Sequence, residues 1–346
     1  MSARSEQMRD RFLGAMVGLA IGEALAAPAV GRAHYAVESE HPGGIQDLHG
    51  GGPYRAAPGE LLSGATQLLE CIESYAVNQE VDGFDLAFRL GSLTESDVKG
   101  FGDDERTILA HLYENPERWD SQANDYWSRS CGMVSDASPL PRCALVAAVH
   151  TDNMDLLTQD TIRLCKLTHA DPRCVEAALA FNFLLLQCLK GHFSTDLPAQ
   201  ASGFVVNLRH SEMYSRVVLD FGELRFRSEF IASASLPYPE DVEAVSDALD
   251  SIKKAKLFDL RTTGTAASAL AAAAWTLANA KDFGPGVSQL VSLGGSADRN
   301  GALAGALLGA RFGLSRIPPV WLRKLTDRSR IVTLVEKLLL ISSPVA

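Results

Sequence analysis

The chain has 346 residues, with 42 acidic against 32 basic side chains and a formal net charge of −10. Apolar residues make up 47% and charged residues 21%, a globular mixture that excludes a disordered chain. The length allows one large domain or two modest ones. An acidic chain with no basic run argues against nucleic-acid binding, which needs clustered Lys and Arg.

The six cysteines form no CxxC pair, and several lie in apolar runs, such as Cys188 in FLLLQCLKG. That pattern predicts buried, reduced thiols in a cytoplasmic protein. The polar N-terminus MSARSEQMRDRF reads as neither a signal nor a transit peptide. Residues 12–31, FLGAMVGLAIGEALAAPAVG, have the length of a membrane span. Glu23 near the middle and the early Pro28 favour instead an all-round apolar helix in the centre of a soluble fold.

Helical signals dominate. The first helix is expected from Arg9 to about Ala27, with Gly14, Gly18 and Gly22 on one face. After a Gly/Pro-rich loop over 31–59, helices are expected at Glu60–Tyr75, Asp104–Leu112, Trp119–Ser128, Ala144–Val149 and Leu156–Thr168. Asp171 and Pro172 read as the N-cap and first position of a helix running to Leu189. Phe204–Ile231 carries the best strand signal, although a helix fits it as well. Helices are again expected at Thr263–Ala280, Gly284–Leu293 and Arg328–Leu340. Between the last two lies a second ridge, Gly301, Gly305, Gly309 and Gly313. Glycine costs about 1 kcal/mol per helical position relative to alanine, so two such ridges predict two central helices in backbone contact. No internal repeat is present. The reading is a single all-α domain over 1–346.

Several segments together resemble the ADP-ribosylglycohydrolases, the family that includes the dinitrogenase-reductase-activating glycohydrolase. DRFLGAMVGLAIGEALAAP is similar to the family's opening helix, and LTHADPRCVEAALAF to its Thr-His-x-Asp-Pro helix start. RTTGTAASALAAAAWTLANAKDFGPGVSQLVSLGGSADRNGALAGALLGARFGLSRIPPVWLRKL is similar to its C-terminal signature. GFGDDERT and SDASPLPRCAL are weaker counterparts of its Gly-x-Gly-x-x-Thr and Asn-Gly-Ser-x-x-Arg segments. Only 195–255 stands apart as atypical. The resemblance implies an all-α fold with a cleft holding two magnesium ions, and cleavage of the bond between ADP-ribose and a protein side chain. Magnesium takes octahedral oxygen coordination, and a close pair of ions orients ribose hydroxyls and activates water.

The ligand positions implied by that resemblance are largely altered. Where the family has Thr-Asp-Asp-Thr, this chain has Ser63-Gly64-Ala65-Thr66. Where it has Asp-x-Asp-Thr, this chain has Ser296-Ala297-Asp298-Arg299. The aspartate of the first helix has become Glu23. Asp298 alone remains as a metal ligand, and Arg299 adds a cation able to pair with it and stand in for the lost metal charge. The expectation is a degenerate member without magnesium and without intact catalytic residues. Regaining the metals should need at least Gly64→Asp, Ala65→Asp and Ser296→Asp. The expected partners are ADP-ribose or an ADP-ribosylated protein, with no nucleic acid and no membrane. Two alternatives stay open. One is an active hydrolase using Glu23, Asp136, Asp171 or Asp298 as acid or base. The other is an interaction protein on the same scaffold.

The ligand-binding candidates are Ser138, His169, Asp171, Gly294, Gly295 and Arg299. Each has a plainer reading. Asp171 can be a helix cap with His169 packed beside it, and Asp298 a helix-start acid favoured by the dipole. Gly294-Gly295 can offer amides to a phosphate or simply turn the chain. His34, His41 and His49 with Glu38, Glu40 and Asp47 read as a solvated loop, and Trp275 and Trp321 as core.

Overall fold

The computed structural model describes residues 3–130, 135–211 and 245–342. Among them there are sixteen α-helices and no strand. They are α1 (Ala3–Ala26), α2 (His34–Glu40), α3 (Ser63–Asn78), α4 (Gly83–Ser92), α5 (Asp103–Glu114), α6 (Gln122–Arg129), α7 (Leu140–Val149) and α8 (Met154–Lys166). There follow α9 (Pro172–Leu189), α10 (Leu197–Arg209), α11 (Val245–Ser251), α12 (Ala266–Asn279), α13 (Phe283–Val291), α14 (Ala297–Phe312), α15 (Pro319–Lys324) and α16 (Arg328–Ser342).

The two glycine-ridged helices, α1 and α14, form the antiparallel axis of the core. A Cβ added at Gly14, Gly18 or Gly22 would fall on the carbonyl oxygen of Gly309, Gly305 or Gly301 respectively, and the reverse pairs collide in the same way. No side chain larger than hydrogen fits this seam. Gly313 lies beyond α14 with φ +88°, yet its backbone still closes on the Gly14 position, where an added Cβ would lie 2.7 Å from Gly313 C. Around the axis pack α9, α12 and α13, with α3, α7 and α16 closing the remaining sides. Among the described residues two helices, α1 and α9, are long and apolar enough to cross a membrane, and both are largely buried within the protein.

Most expected helices are present with shifted ends. The Glu60–Tyr75 expectation becomes Ser63–Asn78, and Trp119 lies before α6, with its ring filling the space beside Gly83. The 31–59 loop contains the short α2, anchored by His34 Nδ1 on Ser292 O (2.8 Å). Of the two readings open for Phe204–Ile231, the helix is the one observed for Phe204–Arg209, which belong to α10. There the inward residues Leu197, Ala201, Ser202 and Val205 follow helical spacing, so packing overrides β propensity. The rest of that expectation, from 212 to 231, lies outside the described residues. Trp321 is core, whereas Trp275 is partly buried and donates to Ala255 O (2.8 Å).

Candidate functional site

A cavity of about 500 Å³ opens where α1 ends and α14 begins. The starts of four helices reach its wall through Gly102, Ser138, Thr265 and Ser296, ahead of α5, α7, α12 and α14. Long-range backbone bonds hold the wall. Gly31 N donates to Gly295 O (2.7 Å), Ser296 N to Thr262 O (3.0 Å), Ala137 N to Gly264 O (3.1 Å) and Ala266 N to Ser135 O (2.9 Å).

The floor is a buried ion cluster. Glu23, at the end of the glycine ridge on α1, accepts hydrogen bonds from the amides of Gly64 and Ala65, both at 2.8 Å. It thereby caps α3, whose own first residues carry no acid. Burial pushes the Glu23 carboxyl up to about 7, while Arg299 and the two amides pull it down.

Arg299 reaches in from α14. Its Nη2 donates to Gly100 O (2.7 Å) and lies 3.4 Å from Ser138 Oγ and 3.6 Å from Glu105 Oε2. Its Nη1 faces Glu23 Oε1 at 3.3 Å and Asp298 Oδ2 at 3.6 Å. Burial works against its charge, yet Asp298, Glu105 and Glu23 outweigh that and hold Arg299 above the ordinary arginine value. Asp298 Oδ2 also accepts from the Tyr54 hydroxyl (3.1 Å).

Behind this cluster the polar contacts continue. Glu105 Oε1 accepts from Gln67 Nε2 (3.0 Å) and Arg142 Nη1 (3.3 Å). Arg142, wholly buried, also donates to Gln67 Oε1 (2.8 Å) and to Thr168 Oγ1. Thr168 Oγ1 lies 2.8 Å from His169 Nδ1, and His169 Nε2 lies 3.3 Å from Asp136 Oδ2. Asp136 Oδ1 accepts from Ser138 N (2.7 Å), and Ser138 Oγ returns the chain of contacts to Arg299. Burial raises the Asp136 carboxyl, but His169 and Ser138 outweigh it and hold it well below the usual carboxylate range.

The candidates named from sequence divide cleanly. Ser138, Gly295, Ser296, Asp298 and Arg299 line the cavity. His169, Asp171 and Gly294 are not among its lining residues. His169 is fully buried behind Asp136. Asp171 caps α9 through Arg173 N (2.8 Å) and accepts from Trp127 Nε1 (3.2 Å). The amides of Gly294 and Gly295 donate to Val291 O (3.1 Å) and Arg32 O (2.8 Å), so at this pair the turn is observed and no amide is left for a phosphate. Ser63 is buried and donates to Gly100 O (2.8 Å). Glu105, Arg142 and Gln67 were missed. A signal existed for Glu105, which shares a helix face with the apolar Ile108, Leu109 and Leu112.

The family model of the ADP-ribosylglycohydrolases matches residues 4–344. The chain belongs to this family. The ADP-ribosylarginine hydrolase Tri1 of Serratia proteamaculans is 22% identical over 95% of this chain and 79% of that protein. Its namesake from Pseudomonas putida is 24% identical over 96% of this chain and 79% of that protein. A solved structure described as an ADP-ribosylglycohydrolase-related protein complex superposes with a TM-score of 0.71, at 26% identity over 98% of this chain and all of that one.

The two magnesium ions that the ADP-ribosylglycohydrolase family implies do not fit the residues present. The point where Glu23, Glu105 and Asp298 converge is filled by the Arg299 guanidinium. Among the described residues no three His, Cys, Asp or Glu side chains are grouped to hold a metal ion. Of the three substitutions named as the least needed to regain the metals, the one at Gly64 meets an obstacle. A Cβ on Gly64 would lie 2.6 Å from Glu23 Oε1, so an aspartate there collides with the carboxylate already in place.

Proposed function

We propose that this ADP-ribosylglycohydrolase binds an ADP-ribosyl group in the cleft without the two-magnesium hydrolysis of its family. The observation that carries the reading is Arg299, a cation fixed among Glu23, Glu105 and Asp298. Hydrolysis of a glycosidic bond needs an activated water and a poised acid or base. Glu23 and Asp171 are sealed from the cavity and cannot serve. What supports retained binding is the cavity, whose polar lining from Ser135, Asp136, Ser138, Thr263 and Thr265 suits sugar hydroxyls. The names of the Tri1 relatives point to ADP-ribosylated arginine as the modified side chain.

The test is calorimetric titration of ADP-ribose with roughly 5 mM magnesium and again with EDTA. The expected result is the same Kd in both buffers and no release of ADP-ribose from modified arginine or serine peptides. Binding that disappears in EDTA overturns the reading, and no binding in either buffer moves the function to the outer surface. One observation favours a second reading, a metal-free hydrolase. Asp136 is 39% exposed at the cavity, ionised, and backed by His169. EDTA-resistant turnover that is lost in Asp136→Asn would establish it.

A further inference from the structure

We infer that the exchange of residues at the cleft floor is interlocked: Glu23 fills the space a side chain at position 64 would need, so a dication site cannot return unless Glu23 is shortened and Arg299 removed in the same molecule. This rests on the reading that the metal centre has been replaced. It goes beyond it by stating what keeps the replacement in place.

The slot at Gly64 is closed from two sides. A Cβ there would lie 2.6 Å from Glu23 Oε1 and 3.1 Å from Pro141 Cβ. A carboxylate at the end of a flexible side chain would ordinarily swing away. This one is completely buried, accepts one amide on each oxygen at 2.8 Å, and faces Arg299 at 3.3 Å. Moving it leaves the first amides of α3 without a partner and strips Arg299 of one counter-charge.

The two changes therefore support each other. Glu23 is one methylene longer than the aspartate expected there by resemblance, and that extra length lets it reach the α3 amides from α1. Gly64 makes the approach sterically open. Arg299 supplies covalently a positive charge that would otherwise have to be bound, and three carboxylates hold it. Acids added at 64, 65 and 296 would meet an occupied slot and a fixed cation.

The first test is a double-mutant cycle of Gly64→Ala and Glu23→Asp, read as Tm. Glycine to alanine in a helix ordinarily stabilises. Here Gly64→Ala is expected to lower Tm by about 2 °C or more in the native background and to raise it, or leave it unchanged, beside Glu23→Asp. Equal shifts in the two backgrounds overturn the interlock. The second test counts bound Mn²⁺ by electron paramagnetic resonance of the free ion. It compares the unmodified chain, the triple variant Gly64→Asp, Ala65→Asp, Ser296→Asp, and that triple with Glu23→Asp and Arg299→Thr added. The expected counts are none, none and two. Two ions in the triple variant, or none in a folded quintuple variant, overturn the interlock. Two ions in the unmodified chain overturn instead the functional reading beneath it. If the quintuple variant does not fold, the Tm cycle decides alone.

Discussion

The same two helices build an apolar backbone seam and a buried ion cluster. Along Gly14–Gly22 and Gly301–Gly309, α1 and α14 meet backbone to backbone with no room for a methyl group. At the end of that seam Glu23 follows Gly22, and Asp298 and Arg299 precede Gly301. The close approach set by the glycines brings these charges together. The seam has no room for anything added, whereas the ion cluster depends on its opposite charges staying matched. The first is a constraint of shape and the second one of charge balance, and they fail in different ways.

The largest effect is expected in the seam. Gly305→Val drives side-chain atoms into the Gly18 carbonyl, and should cost about 4 kcal/mol or more, enough to abolish folding. Soluble yield and circular dichroism would show it, and a folded Gly305→Val protein breaks the contrast outright. Next comes Arg299→Met, which leaves Glu23, Glu105 and Asp298 buried without their shared cation. A loss of about 3–5 kcal/mol in urea unfolding is expected. Adding Glu23→Gln to that variant should recover part of the loss, which no second change in the seam would do.

The third prediction concerns pH. The Glu23 pKa is raised from 4.5 to about 7, so the folded protein holds a proton there that the unfolded chain has already released. Its contribution is complete below pH 4.5 and is lost as pH rises to about 7, by about 3 kcal/mol in total. Asp136 acts in the opposite sense, and only below its ordinary carboxylate range. Unfolding free energies measured between pH 4.5 and 8 should fall toward neutrality, and Glu23→Gln should flatten that slope. An unchanged slope in Glu23→Gln would remove the charge argument. The smallest effect is Tyr54→Phe, which deletes the hydroxyl on Asp298 and should cost about 1 kcal/mol of stability.

The seam was legible because repeated glycines in a helix carry a cost that only close packing explains, and both ridges announce it without knowledge of the fold. Asp171 was legible as a cap for a similar reason, since its partner lies two residues away. The ion cluster was only half legible. Asp298 and Arg299 are neighbours in the chain, and their pairing follows from that. Arg299 meets Glu23 across 276 positions, and Arg142 meets Glu105 across 37, and no local pattern encodes either contact. The capping of α3 by Glu23 was invisible for the same reason. In α10, the β-branched pair Val205-Val206 suggested a strand until packing decided otherwise.

The antiparallel seam also has a consequence for biosynthesis. Gly22 and Gly301 are separated by roughly 280 residues, so α1 leaves the ribosome long before α14 exists. At about 5–20 residues per second, α1 spends tens of seconds without the glycine ridge that receives it. During that interval a helix apolar enough to cross a membrane lacks the partner that buries it. The central contact of the fold thus closes late, and until then the emerging chain depends on whatever in its surroundings shields an orphan apolar helix.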